Sequence, residues 1–415
     1  MQRLFQRAFE IYPGEGLKSL AFLRLILFWS FGTMILEILA DGFFLERVGA
    51  QYLPIAFIIT SLCMITTSIL VLVKTRQPER ILLTGLKGGA LFCIAAAIFM
   101  SVSPPVWFWF GLKIFTKILS VILIASVWTF TDLYHDLHNA KRVYALYNAT
   151  YFAGSICAGT LINQALDLFG SSILLIIAAV LILFALLEAK KISLMTPHLV
   201  PYPPQETETS EQSPSLIKRV FRSPYTLTLL SLSLIINLLI TVSEYSYMDS
   251  FGRIFQTMHS SENALVEFLA KCKAWIAGCN ILIGSLFYGR FLRKTGLNNV
   301  LLIPPLFFLT VYSEWLISDT LLIAIFGLIA VDGVVFTVED TCFNLLSKAV
   351  PYSIKPKVRL INDSFFEPIG MLLSACLLLL MRYGNLWIGL VLSVLALAAA
   401  LVVRELYHKA VREHA

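Results

Sequence analysis

Val127-Trp128-Thr129-Phe130-Thr131-Asp132 closes one apolar run. A polar stretch, Leu133 to Asn139, leads through Ala140-Lys141-Arg142 into a second, which starts at Tyr144 and passes Gly154, Ser155, Ala158 and Gly159. The pattern returns far downstream. Val335-Phe336-Thr337-Val338-Glu339-Asp340 repeats the first part, and Lys357-Val358-Arg359 with Asn362, Ser364 and Phe366 repeats the second. Weak self-similarity between two halves of an apolar chain marks an internal duplication of membrane-spanning segments.

Composition agrees. Hydrophobic residues make up 58% of the 415-residue chain and charged residues 14%, and mean hydropathy is +0.80. Soluble domains carry about 25% charged residues. The net charge of +6 has a topological cause, so nucleic acid is not an expected partner; the lipid bilayer is. The seven cysteines include no Cys-x-x-Cys and sit in apolar stretches, as small packing residues do. No metal or cofactor is expected. His135-x-x-His138 lies in a polar loop without further ligands. No nucleophile-and-base set appears, so the chain is not expected to be an enzyme.

Apolar runs of roughly 20 residues predict twelve spans, near 18–40, 52–73, 81–102, 104–130, 144–167, 172–189, 224–248, 263–288, 298–315, 320–345, 361–381 and 385–403. The predicted fold is all-α, with two six-helix bundles. Residues 1–190 form the first and 224–404 the second. A flexible linker over 191–223 joins them, rich in proline and in Glu206, Glu208 and Glu211, and 405–415 are a tail. Lys74, Arg76, Arg80, Lys141, Arg142, Lys190, Lys191, Lys218, Arg219 and Arg222 all fall on the side that holds the N-terminus. Only Arg47, Arg253 and Arg382 fall on the other. The bias predicts cytoplasmic N- and C-termini. Trp107, Trp109, Trp315 and Trp387 are expected to form an outer aromatic belt.

Charges inside spans point to function, since each basic residue costs about 2.5–3.5 kcal/mol at the bilayer centre. The cations are Arg24, Lys113, Lys117, Lys271 and Lys273; the acids include Glu37, Glu244, Asp332, Glu339 and Glu367. Spans 6, 9 and 12 hold none in their interiors. Charge-free every-third helices around a lined cavity suggest the major facilitator architecture. Lys113 and Lys117 share a helix face. Lys113 is expected to pair with Glu37 on a neighbouring helix. Arg24 lies about 20 Å from Glu37 along one helix and cannot pair with it. Lys273, two residues from Lys271, is expected to snorkel to the interface. Gly154, Ser155, Ala158 and Gly159 read as a close helix contact.

Two stretches carry a resemblance. Leu36 to Phe57, containing Glu37, Ala40, Asp41, Glu46 and Arg47, resembles the first span and outer loop of the nucleotide transporter family. That family comprises the ATP/ADP translocases of intracellular bacteria and plastids with their wider bacterial relatives. Val127 to Gly159 resembles its fourth-to-fifth span signature. Gly289 to Gly296 is similar to the general facilitator loop between spans 8 and 9. The resemblance implies a nucleotide exchanger working by alternating access. The charges inside the spans make Arg24, Lys113 and Lys117 the expected substrate-binding cations and Glu37, Glu244, Asp332 and Glu339 the expected counter-charges or proton carriers, and the resemblance adds Asp41. A single-chain plan with a short linker is expected to sit in a bacterial inner membrane as a monomer. Cytoplasmic motif residues are Trp128, Asp132, Lys141, Arg142, Asp340 and Arg359. One departure stands out: the family's Lys-Asp pair near the end of span 1 reads here as Ala40-Asp41. That leaves open a proton-coupled carrier of another small metabolite. A non-transporting membrane platform, working through the linker, is the alternative of another class.

Overall fold

A computed structural model describes residues 16–74, 78–102, 104–135, 137–195, 223–258, 263–284, 294–346, 350, 358, 361–381 and 384–414. Among these the secondary structure is helical, without strands. The helices are α1 (Gly16–Arg47), α2 (Leu53–Lys74), α3 (Pro78–Met100), α4 (Val106–Asp132), α5 (Leu137–Met195), α6 (Pro224–Thr257), α7 (Ala264–Leu282), α8 (Ile303–Ile317), α9 (Leu321–Leu328), α10 (Glu367–Leu380) and α11 (Asn385–His414). Eight helical stretches are long and apolar enough to cross a membrane, and α8 and α10 are shorter apolar helices.

Local chemistry sets the helix ends. Pro105 precedes α4 with extended backbone, and its ring disfavours the helical conformation at the residue before it, which sets the start of α4. Ser223 caps α6 by accepting from the Thr226 amide, with Pro224 in the first turn. Gly170 interrupts α5 at φ 76, a left-handed conformation that a side chain would resist. The break divides a 52-residue apolar stretch, far more than one crossing needs.

After α9 the chain runs on as a π-helix, Ile329–Glu339, and then as Asp340–Leu346. A second π-helical segment, Asn362–Phe366, leads into α10. Both segments lie in the downstream echo of the opening motif. The upstream copy is ordinary α-helix through Asp132. Wide π turns mark helix stretches held away from their best hydrogen bonding, frequently at functional positions.

The described helices fall into two compact units. One holds α1, α3, α4, α5 and α7; the other holds α2, α6, α8, α9, α10 and α11. Each draws a helix from the opposite half of the sequence: α7 joins the first and α2 the second. In the first unit, α5 approaches α1 and α7 closely enough to require glycine. A Cβ on Gly154 would collide with the Ser30 hydroxyl, and one on Gly159 with the Ala270 carbonyl. Gly42 of α1 likewise meets Val266 of α7, where a Cβ would stand at 2.5 Å. Gly154 and Gly159 are the close contact their spacing predicted; Gly42 adds one it did not. In the second unit, a buried cluster includes Leu229 and Leu230 of α6, Val338, Leu346, and Ala400 and Val403 of α11. The Tyr312 ring leaves no room for a Cβ on Gly389, and its hydroxyl bonds to Ser243 at 2.8 Å.

The expected tryptophan belt is corrected in part. Trp107 and Trp387 are exposed, but Trp109 and Trp315 are buried. Trp109 packs on Phe43 and Phe108, beneath the Arg47 guanidinium at 5.8 Å. Trp315 donates its indole N–H to Asp319 at 3.0 Å. An indole with a polar partner at hand satisfies itself without reaching a headgroup.

Candidate functional site

Five ionisable side chains converge in the first unit. Glu37 and Asp41 lie on α1, one helical turn apart and therefore on one face. Lys113 and Lys117 lie on α4 with the same spacing. Lys273 comes from α7. The Lys113 ammonium donates to Asp41 at 2.6 Å. The Lys273 ammonium donates to Glu37 at 2.7 Å and reaches the other oxygen of Asp41 at 3.4 Å. Asp41 thus stands between two lysines, with one oxygen toward each. Lys117 is close enough for its charge to act on Glu37.

These groups are deeply placed. The side chains of Asp41, Lys113 and Lys273 keep 4%, 6% and 7% of their surface exposed, whereas Glu37 keeps 22%. Charges taken out of water are costly unless paired, which is why the ion pairs form. The cluster sets three lysines against two carboxylates.

Two expectations change here. Lys113 bonds to Asp41, and Glu37 bonds to Lys273. The carboxylates share one face of α1, so helical spacing alone does not say which of them a lysine on α4 meets. Lys273 does not snorkel; it is buried and bridges both acids. Ala40 is fully buried, and Lys273, from the other half of the sequence, brings an ammonium to Asp41.

Other expected residues lie elsewhere. Arg24 bonds to Glu188 at 3.3 Å with its side chain 41% exposed. It sits about 20 Å along α1 from Glu37, at 1.5 Å per residue. Glu244 is buried on α6 in the second unit, with Tyr245 and Tyr247 buried beside it. Asp332 and Glu339 lie on the π-helical segment of that unit. Of the motif at the fourth-to-fifth span junction, Asp132 accepts from the Tyr144 hydroxyl, and Trp128 packs on the Tyr144 ring at 5.7 Å. Lys141, Arg142 and Asp340 occupy helical positions, while Arg359 lies outside the described residues, as does most of the linker. His135 is held by the Thr131 carbonyl and the Tyr147 hydroxyl, at 3.0 and 3.1 Å. Among the described residues no three His, Cys, Asp or Glu side chains gather as a metal site would require.

In the second unit a polar knot surrounds Asp319, which follows α8. It accepts from Ser250, Trp315 and Arg253, at 2.9, 3.0 and 2.8 Å. Burial opposes its charge, but the Trp315 and Ser250 hydrogen bonds and the Arg253 guanidinium outweigh it and hold the carboxyl below its ordinary value.

The family described as TLC ATP/ADP transporter matches residues 106–361, more than half of the chain. No curated protein matches the chain by sequence. Solved structures share the fold. A mutant of the nucleoside transporter NupG is 15% identical, with TM-score 0.61 over 94% of this chain and 99% of that one. The POT family transporter PepTSo is 12% identical, with TM-score 0.67 over 97% and 100%. A D-xylose-proton symporter is 11% identical, with TM-score 0.64 over 93% and 96%. The chain is therefore a multi-pass membrane protein with a transporter fold of the major facilitator type.

Proposed function

The chain belongs to the TLC ATP/ADP transporter family, and from that premise we propose that it carries nucleotides, exchanging ATP for ADP by alternating access. The observation that carries this reading is the buried cluster of Lys113, Lys117 and Lys273 with Glu37 and Asp41. Its three ammonium groups supply donors that carboxylates and phosphates alike accept, which suits a phosphate chain. Glu244, Asp332 and Glu339 are the further candidate contacts read from the sequence.

The chain is read as twelve spans in two six-helix bundles, 1–190 and 224–404. Splitting α5 at Gly170 and counting the charged α7 with the shorter α8 and α10 supports that number. Lys and Arg bias supports cytoplasmic termini, and the single-chain plan with a short linker suits a bacterial inner membrane. One chain already contains both repeats, so a monomer is the working unit. The π-helical segment that carries Asp332 favours one second reading, a proton-coupled anion carrier in which Glu37 or Asp332 exchanges the proton.

Proteoliposomes preloaded with ADP, beside empty ones, test the proposal through uptake of labelled ATP. Uptake that requires internal ADP is the expected result. ATP uptake driven by a proton gradient into empty vesicles would favour the second reading. No uptake by folded, monodisperse protein would overturn nucleotide transport.

A further inference from the structure

Asp41 occupies an unusual position within the cluster. Its two oxygens face separate ammonium groups, Lys113 at 2.6 Å and Lys273 at 3.4 Å. All three side chains are more than nine-tenths buried. Both lysines reach it from other helices, α4 and α7, while Glu37 also satisfies Lys273. A carboxylate held this way presents two oxygens to two cations, as one edge of a phosphate would. Glu37 keeps 22% of its side-chain surface exposed and Lys117 is only half-buried, so the cluster is not sealed.

We propose that Asp41 is a built-in stand-in for the anionic group of the substrate. It holds the two buried ammonium groups between substrate visits, and an incoming phosphate-type oxyanion displaces it from both. Lys273 then becomes a substrate contact alongside Lys113, and Asp41 sets affinity by competing with the ligand. The inference rests on reading the cluster as an anion site. It adds a direction: removing the acid tightens anion binding and slows anion release. A carboxylate that only braced the helices would do the opposite, because its loss would loosen the site.

The test uses the purified full-length chain in detergent, with pyrophosphate as the anion and thermal melting and equilibrium binding as readouts. Asp41→Asn is expected to melt below wild type without anion, because it removes the carboxylate to which both buried ammonium groups bond. Pyrophosphate should raise its melting temperature more than that of wild type, and should bind at least roughly tenfold tighter. Glu37→Gln, at the more exposed edge, removes the nearer of the two acids on Lys273 and leaves Asp41 in place, so it should tighten binding to a smaller degree. It keeps the idea testable if Asp41→Asn does not fold. Lys273→Ala should lose the pyrophosphate response. Folded acid variants that bind pyrophosphate no tighter than wild type, or a Lys273→Ala variant that responds as wild type does, would overturn the proposal. Tighter pyrophosphate binding with no competition from ATP or ADP would leave the stand-in intact and remove the nucleotide reading instead.

Discussion

At the scale of single residues, Asp41 and Lys113 make each other tolerable in an apolar interior. Removing one partner of a buried ion pair costs about 3–5 kcal/mol, whereas removing both together is far milder. Lys113→Ala is therefore expected to lower stability by about that amount in chemical denaturation. Lys113→Ala/Asp41→Ala should recover much of the loss, because Lys273 retains Glu37. Transport should stay lost in both. A double variant as unstable as the single one would contradict the pairing. The placement of charge at Glu37 and Lys113 inside spans was legible in the sequence, since such residues are rare there; Asp41 lies one residue past the predicted span and entered only through the family resemblance. The partner choice was not. Two acids one turn apart look alike to a lysine on another helix. Lys273 meets its acid from 236 positions away, and nothing local to Lys271-Cys272-Lys273 announces it.

At the scale of elements, helix contact distance governs what α5 tolerates. Gly159→Ala would drive a methyl group into the Ala270 carbonyl, so α5 and α7 must separate. Overpacking of this kind costs roughly 1–3 kcal/mol. A methyl group on Gly111 would find nothing within 4 Å, so Gly111→Ala should be neutral or stabilising by up to about 1 kcal/mol. Paired melting curves would check the contrast, and equal effects would refute the close contact. The small-residue spacing that marks this contact is visible in sequence. The burial of Trp109 and Trp315 is not, because an indole near a span end fits an interface and a core equally well until its hydrogen-bond partner is known.

The knot at Asp319 gives the elements a pH signature. Its carboxyl titrates below the ordinary value when folded. Its stabilising contribution is therefore complete above the unfolded carboxylate value of about 3.9 and is lost as pH falls through the lower folded value. Asp319→Asn should thus lower the melting temperature at neutral pH, and the gap from wild type should close as the medium is acidified below that range. A gap that widened on acidification would contradict the assignment.

At the scale of the whole molecule, the duplicated plan was readable from hydropathy, the echo of Val127–Asp132 in Val335–Asp340, and the Lys/Arg bias. Two features were not. Sequence order places α2 and α7 with their own halves, yet each joins the other compact unit, since unit membership follows packing rather than chain position. The π-helical form of the downstream echo, Ile329–Glu339, also leaves no mark in residue type. Exchange of ATP for ADP would move one net negative charge per cycle, worth about 2.3 kcal/mol per 100 mV. A potassium-diffusion potential of that size should shift the ATP distribution between vesicle and medium by roughly 50-fold. An inside-positive potential should favour entry. An ATP distribution indifferent to potential would mean that charge moves in balance, as in proton-coupled carriage.

If buried lysines from α4 and α7 hold the transported anion together, transport must fail when either is removed. ATP/ADP exchange in proteoliposomes by Lys113→Ala and Lys273→Ala reads this directly. Lys271→Ala, whose side chain is exposed on the same helix as Lys273, is the control. Both buried-lysine variants should lose exchange by at least roughly tenfold while Lys271→Ala keeps it. Folded Lys113→Ala and Lys273→Ala variants that exchange at the wild-type rate would contradict a shared lysine site.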